Sequence, residues 1–176
     1  MLKDASPGSQ VGSHANPTNP RPSEELRIVE MVFPNTTNHY GTMFGGKVLD
    51  LMDRAAFLAA TRFCEQAIVT ASMERLDFYV PVKSGHIVEL IAKVVSTGRT
   101  SLTVKVDLYS ENPIRRSKEH ASRGYFHMVS VNQEGRPIPV PTLKVETPEE
   151  IAERDHALEL LARRKVAVTP ELPMTP

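Results

Sequence analysis

Gly45-Gly46-Lys47-Val48-Leu49-Asp50-Leu51-Met52-Asp53-Arg54-Ala55-Ala56-Phe57-Leu58-Ala59-Ala60-Thr61-Arg62-Phe63-Cys64 is the stretch that decides the fold. Val48, Leu49, Met52, Ala55, Ala56, Ala59, Ala60 and Phe63 recur at steps of three and four, which predicts an α-helix with a wide buried stripe. The alanines in that stripe have little side chain to hold neighbours away, so other elements are expected to pack close around the helix.

On either side the period shortens towards two. Before the helix, Leu26, Ile28, Val29, Met31, Val32 and Phe33 form a β-rich stretch stopped by Pro34, and the polar residues 35–40 form a loop. After it, strands are expected over 68–80 (closed by Pro81), 87–96, 102–109 and 125–131, with residues 110–123 read as a polar, basic connection. Thr147, Pro148 and Glu150 then spell a capping box that opens a second helix. Ile151, Leu158 and Leu161 share one side of it, and Arg163, Arg164 and Lys165 sit where the helix dipole favours cations. The order strand, long helix, four strands, helix has no alternating helices, so it favours an α+β fold, an antiparallel sheet wrapped around the early helix. Domain limits follow: a disordered tail over 1–23, rich in Pro, Gly, Ser and Asn, a domain over 24–146, a C-terminal helix over 147–167 and a loose end over 168–176.

Composition narrows the function. The chain has 176 residues, 40 % of them hydrophobic, with 21 basic against 21 acidic side chains and a formal net charge of zero. That balance gives no reason to expect nucleic acid or an anionic membrane as partner, and any anionic ligand must be held by a local cluster. No stretch reaches the roughly 20 apolar residues of a membrane span, and no signal-peptide core is present, so the expected location is the cytoplasm. The single cysteine, Cys64, excludes an internal disulfide. The six histidines are scattered without metal-binding spacing, so no metal is expected. No GxSxG elbow marks a serine nucleophile.

Chemistry concentrates around the start of the long helix. Gly45 and Gly46 leave the first helical amides uncovered by Cβ atoms, at the positive end of the helix dipole. Such amides suit the oxygen of a polarised carbonyl, although a glycine pair would equally permit close packing of helix on strand. Asp53 lies among Leu49, Ala56, Phe57 and Ala60 at helical steps, where partial desolvation suits a general base or nucleophile. Asp50 is instead placed to pair with Arg54 at i,i+4. Eight residues separate Gly45 from Asp53, about 12 Å along a helix. One carbonyl cannot meet both in the same chain. Two helices lying antiparallel across a two-fold axis bring each glycine end to the other chain's aspartate, so the chemistry requires a homodimer with two sites.

Asn38-x-x-Gly41-x-x-Phe44-Gly45-Gly46 with Met52-Asp53, then Val69-Thr70, Phe78-x-x-Pro81-x-x-x-Gly85 and Gly98-Arg99-Thr100-Ser101, resembles the hotdog-fold acyl-CoA thioesterases, in their cytosolic acyl-CoA hydrolase or YciA-type branch. The resemblance covers residues 26–141. It implies a hotdog fold, Asp53 as base or nucleophile, Asn38 placing water or thioester beside the Gly45 and Gly46 amides, and a dimer that often associates into a trimer of dimers. It also implies an acyl-CoA substrate, lying along the subunit boundary against Phe44, Thr70, Arg99, Thr100 and Ser101. No cofactor is implied beyond the coenzyme A of the substrate. Tyr40 stands where relatives often carry a small or amide residue. Arg115, Arg116, Lys118 and Arg123 are further candidates for the CoA phosphates.

Two rival readings use the same fold. An enoyl-CoA hydratase needs a histidine near the helix, and residues 47–64 contain none. A non-catalytic acyl-CoA sensor would have no use for Asp53 and Asn38.

Overall fold

The helix begins and ends where the apolar stripe does. In the computed structural model, which describes residues 19–167 (backbone alone from 164), α1 runs over Gly45–Cys64. Phe44 enters it in an extended conformation. Glu65 closes it in the left-handed region (φ 55°), its amide donating to the Thr61 carbonyl at 2.7 Å. Met52, Ala55, Ala56 and Ala60 are fully buried, so the predicted stripe is the one the fold covers.

Five strands cover it: β1 (Leu26–Met31), β2 (Ala67–Phe78), β3 (Ile87–Thr97), β4 (Ser101–Asn112) and β5 (Ser117–Val131). They form one antiparallel sheet in the order β1-β3-β4-β5-β2. Alternation assigns the two faces. Leu102, Val104, Val106 and Leu108 of β4 join Val88, Leu90, Ala92, Phe126 and Met128 in the core around α1. Thr103, Lys105, Asp107 and Tyr109 therefore point to the opposite, outer face. There α2 (Pro148–Ala167) packs, with Ala157 and Leu160 against Val95 and Tyr125.

Three sequence expectations change here. The connection over 110–123 is mostly strand: β4 and β5 meet in a hairpin whose turn is only residues 113–116. The face of α2 is rotated. Ala157 is the buried residue, while Ile151 and Leu158 remain more than 40 % exposed. Finally, the expected tail over 1–23 overlaps residues that are bonded into the fold. The Arg21 amide donates to the Thr142 carbonyl (2.9 Å), its guanidinium donates to the Phe63 carbonyl at the end of α1 (2.9 Å), and Ser23 accepts from the Val94 amide (2.9 Å). Residues 1–18 and the end over 168–176 lie outside the described residues.

The capping box forms as read. The Glu150 amide donates to Thr147 Oγ1 at 3.2 Å, and the Glu150 carboxylate accepts from the amides of Glu146 (2.9 Å) and Thr147 (3.4 Å). Lys93 of β3 completes the set at 3.0 Å. The Glu146 amide first, then Lys93 and the Thr147 amide, hold this carboxyl down at about 2. A carboxyl lowered on folding stabilises the native state above its unfolded value, near pH ~4.3, and that contribution is lost as pH falls towards 2. The melting temperature of the wild type should therefore decline between pH ~4.3 and 2 more steeply than that of Glu150→Gln, which calorimetry across that range measures.

Candidate active site

The loop before α1 is fixed by Asn38. Its Oδ1 accepts from the backbone amides of Tyr40 (2.9 Å) and Thr42 (3.2 Å) and from the Thr42 hydroxyl (3.2 Å). Backbone amides can only donate, so this orientation of the side-chain amide is forced, and Nδ2 is left as a donor for a ligand. Gly41 turns the loop in the left-handed region (φ 72°), where a Cβ would be strained. The amides of Met43 and Phe44 donate to the carbonyls of Val82 (2.7 Å) and Thr36 (3.2 Å), which holds the mouth of the helix to its surroundings.

At that mouth the two glycines differ. A Cβ on Gly45 would meet the Phe78 ring at 3.6 Å, whereas one on Gly46 would meet nothing within 4 Å. The Lys47 and Val48 amides donate back to the Phe44 carbonyl, while those of Gly45 and Gly46 find no acceptor among the described residues. Gly46 is thus the open amide, and Gly45 also satisfies close packing. Beside them lies a cavity of about 360 Å³ walled by Met43, Val48, Phe78, Pro81 and Val82. Phe44, between Met43 and Gly45 in the chain, is half exposed and is not part of the cavity wall.

Asp53 is half-buried and receives a hydrogen bond from Thr70 Oγ1 on β2 at 2.9 Å. No second bond reaches it from the described residues, so Oδ2 remains available. Arg54 turns away to Asp50 (3.5 Å) and Glu30 (3.9 Å), the i,i+4 pair foreseen for Asp50. Thr70 is thus a partner of the carboxylate, which the sequence did not reveal: it stood only as a substrate contact. Irregularities flank this part of β2, with register shifts after Thr70 and Glu74 and Arg75 in the left-handed region (φ 51°).

The 98–101 turn lies at the same end of the sheet as Thr70. Thr70 pairs with Met128, which pairs with Leu102, so the turn begins one residue beyond that rung and two strand spacings away, about 10 Å. The Gly98 amide donates to the Ser101 carbonyl (2.7 Å), and the Thr100 carbonyl accepts from Ser130 (3.1 Å), which leaves the Arg99 side chain exposed and without an ion pair among the described residues.

The basic cluster is not one site. Arg123 is bound to buried Asp107 (2.6 Å), and Lys118 pairs with Glu89. Of these four, Arg115 and Arg116, at the hairpin tip, are without ion pairs among the described residues. His39 is exposed and lies against Tyr40, with ring centres 3.9 Å apart and the rings tilted by 41°. His120 lies between Tyr79 and Tyr109, away from α1, and its Nε2 is 2.7 Å from Asp107 but off the hydrogen-bond direction. Burial pushes the Cys64 thiol up to about 12, so it is inert at neutral pH. Among the described residues no group of three or more His, Cys, Asp and Glu side chains is arranged to hold a metal ion, and no helix is long and apolar enough to cross a membrane.

An antiparallel sheet around one long helix, with uncovered amides at the helix mouth, defines a hotdog-fold thioesterase, and the sequence pattern of the thioesterase superfamily matches residues 40–116. The uncharacterized acyl-CoA thioester hydrolase YkhA of Bacillus subtilis is 35 % identical over 144 residues, 81 % of this chain and 84 % of its own. The chain belongs to the acyl-CoA thioester hydrolases. Among solved structures, an apo-hexameric acyl-CoA thioesterase superposes with a TM-score of 0.81 at 35 % identity, covering 86 % of this chain and 99 % of that one. An acyl-CoA hydrolase from Staphylococcus aureus, solved with butyryl coenzyme A, coenzyme A and coenzyme A disulfide, gives 0.75 at 31 % identity, covering 81 % and 87 %. Variants of that enzyme with an asparagine, an aspartate or a threonine replaced by alanine match as well.

Proposed function

We propose that the protein hydrolyses acyl-CoA to a fatty acid and coenzyme A at two equivalent sites of a homodimer. Each site combines Asn38 and Gly46 of one protomer with Asp53 and Thr70 of the other. The observation that carries this reading is the pairing of an oriented, half-free carboxylate at Asp53 with an open amide at Gly46 that is too far along the same helix to share its substrate. The Thr70 bond fixes Oδ1 and leaves Oδ2 to take a proton from water. The water oxygen attacks the thioester carbon, and the resulting oxyanion is held by the Gly46 amide and Asn38 Nδ2. The carbon–sulfur bond then breaks, the thiolate leaves, and the proton on Asp53 passes to the sulfur. A thiolate leaves readily, so the scheme requires no metal or redox cofactor.

Spacing supports the assignment. In the S. aureus enzyme the replaced asparagine stands fifteen residues before the replaced aspartate, and the threonine seventeen after it. Asn38, Asp53 and Thr70 are separated identically. A dimer is supported by β2, which is an edge strand, and by the exposed Phe57, Leu58, Val69, Met73 and Phe78 along α1 and β2. Hexameric relatives make a trimer of dimers the larger assembly that fits. In this proposal the acyl chain enters the cavity beside Gly45, Phe44 lines its approach, and Arg99, Thr100 and Ser101 take the CoA portion. Cytoplasmic residence belongs to the same proposal, in keeping with a free, buried Cys64.

Gly46→Ala tests it. In a helix the Cβ tilts towards the N-terminus, here into the space left for the carbonyl oxygen. Alanine meets no neighbour and is the better helix former, so stability should rise by about 0.5 kcal/mol. Thiol release should nevertheless fall by about 10²-fold, the cost of losing one oxyanion donor. Unchanged turnover in a folded variant would remove Gly46 from the site.

A further inference from the structure

The sheet has a second bare region, at the edge opposite the one used above. β1 pairs with β3 alone, so β1 and β2 are the two edges of the sheet. Leu26 and Ile28 of β1 turn to the core. Alternation therefore sends Val29 and Met31 to the outer face, followed by Phe33 beyond the buried Val32. These three side chains are 63 %, 50 % and 58 % exposed. α2 covers the outer face elsewhere. Its contacts on β3 fall at Lys93 and Val95, in the second half of that strand, whereas Val29 and Met31 pair with Glu89 and Ile87 in the first half. An open strand edge that bears three large apolar side chains is a surface for association.

The charges around the patch suit a copy of itself. Arg27 donates to Glu25 (2.8 Å) and Glu89 (2.9 Å), and Lys118 pairs with Glu89, so this flank neutralises itself. Glu30, between Val29 and Met31 in the chain, turns away to Arg54 (3.9 Å). In an isologous contact the same patch meets itself, so an unpaired charge at its centre would face its like. Here the centre is apolar. Symmetry adds a second argument. A chain with one isologous contact at each edge of its sheet builds a closed ring in which the two contacts alternate. Three dimers joined in this way make six chains, the number in the hexameric relatives.

We infer that the outer face of β1, at Val29, Met31 and Phe33, is the contact that joins dimers of this chain into a trimer of dimers. Each patch packs on the same patch of a neighbouring dimer. The inference rests on the dimer proposed above, whose contact lies at β2, and supplies the second interface that a hexamer needs. The Asp53 and Gly46 sites belong to the dimer and stand outside this contact.

Light scattering on chromatographed full-length protein at low salt is the test, with thiol release measured on the same fractions. The wild type should be a hexamer. Met31→Asp sets the carboxylates of two copies against each other and should give dimers, with thiol release per chain within about twofold of wild type. The substituted side chain is at the surface, so the circular dichroism spectrum should not change. Met31→Lys should be dimeric for the same reason. The mixed dimer of the two variants, isolated from co-expression through two affinity tags, should return to the hexamer. It carries opposite charges at its two ends, and three such dimers join acid to base at every contact. A dimeric wild type, which would leave the patch to another protein, overturns the inference. So does a Met31→Asp protein that stays hexameric, or a mixed dimer that does not reassemble. A monomeric wild type would remove the β2 dimer as well, whereas a hexameric wild type that releases no thiol would sink only the catalytic reading.

Discussion

Asp53→Asn should reduce thiol release from acyl-CoA by about 10³-fold while the affinity for coenzyme A changes by less than about twofold. The substitution keeps the size of the side chain and its place opposite Thr70, and an asparagine oxygen still accepts the Thr70 hydroxyl hydrogen. What it removes is the capacity to accept a proton from water, and a positioned base contributes about 10²–10⁴-fold. The amide at Gly46 and the cavity beside it are untouched, so residual rate above the uncatalysed level should persist. Thr70→Val should lie between the two, because the carboxylate then keeps its chemistry and loses its tether. A chromogenic thiol reagent reads the rate, and calorimetry reads the affinity. More than a tenth of wild-type turnover in folded Asp53→Asn would sink the assignment. Tight acyl-CoA binding by the wild type without thiol release would instead make the protein a sensor.

The parts of the fold that were legible are those whose information is apolar. The bounds of α1 follow from the run between Gly45 and Cys64 because a stripe of alanines, leucines and aromatics has one helical solution. The start of β5 was lost because Ser117, Lys118, Glu119 and His120 carry no hydrophobic alternation. Charged pairs between strands hold this part of β5, Lys118 with Glu89 across β4 on β3 and Arg123 with Asp107 on the adjacent β4, and such pairs exist only once the register does. The turn of α2 was misjudged for a related reason. Pattern reading weights leucine over alanine, yet Ala157 is the residue that the helix buries against Val95 and Tyr125. At the site, Asn38, the glycines and Asp53 were readable because they cluster in sequence around one helix mouth. The Thr70–Asp53 bond joins a strand to a helix across seventeen positions and has no periodic trace. Neither does the exposure of Val29, Met31 and Phe33, which depends on where α2 lies across the sheet.

Mixing two inactive variants should restore activity. Asp53→Asn and Asn38→Ala each spoil both sites of their own homodimer, since every site takes one lesion. In a mixed dimer the lesions segregate: one site receives both, and the other receives the intact Asn38 of one protomer and the intact Asp53 of the other. Equal co-expression with random pairing makes half of the dimers mixed, each with one working site of two, so total turnover should recover to roughly a quarter of wild type from parents near the background, with the oligomeric state unchanged. The physical basis is the rigidity of α1. Gly45 and Asp53 are eight residues apart on an unbroken helix, about 12 Å, and no side-chain rotation lets one protomer's carboxylate reach a carbonyl held at its own helix mouth. Assembly into a trimer of dimers leaves the fraction unchanged, because the site belongs to the dimer. Wild-type-like recovery is excluded by the same counting, and no recovery in a verified mixed dimer would mean that Asn38 and Asp53 serve one chain's site, against the antiparallel arrangement on which the mechanism rests.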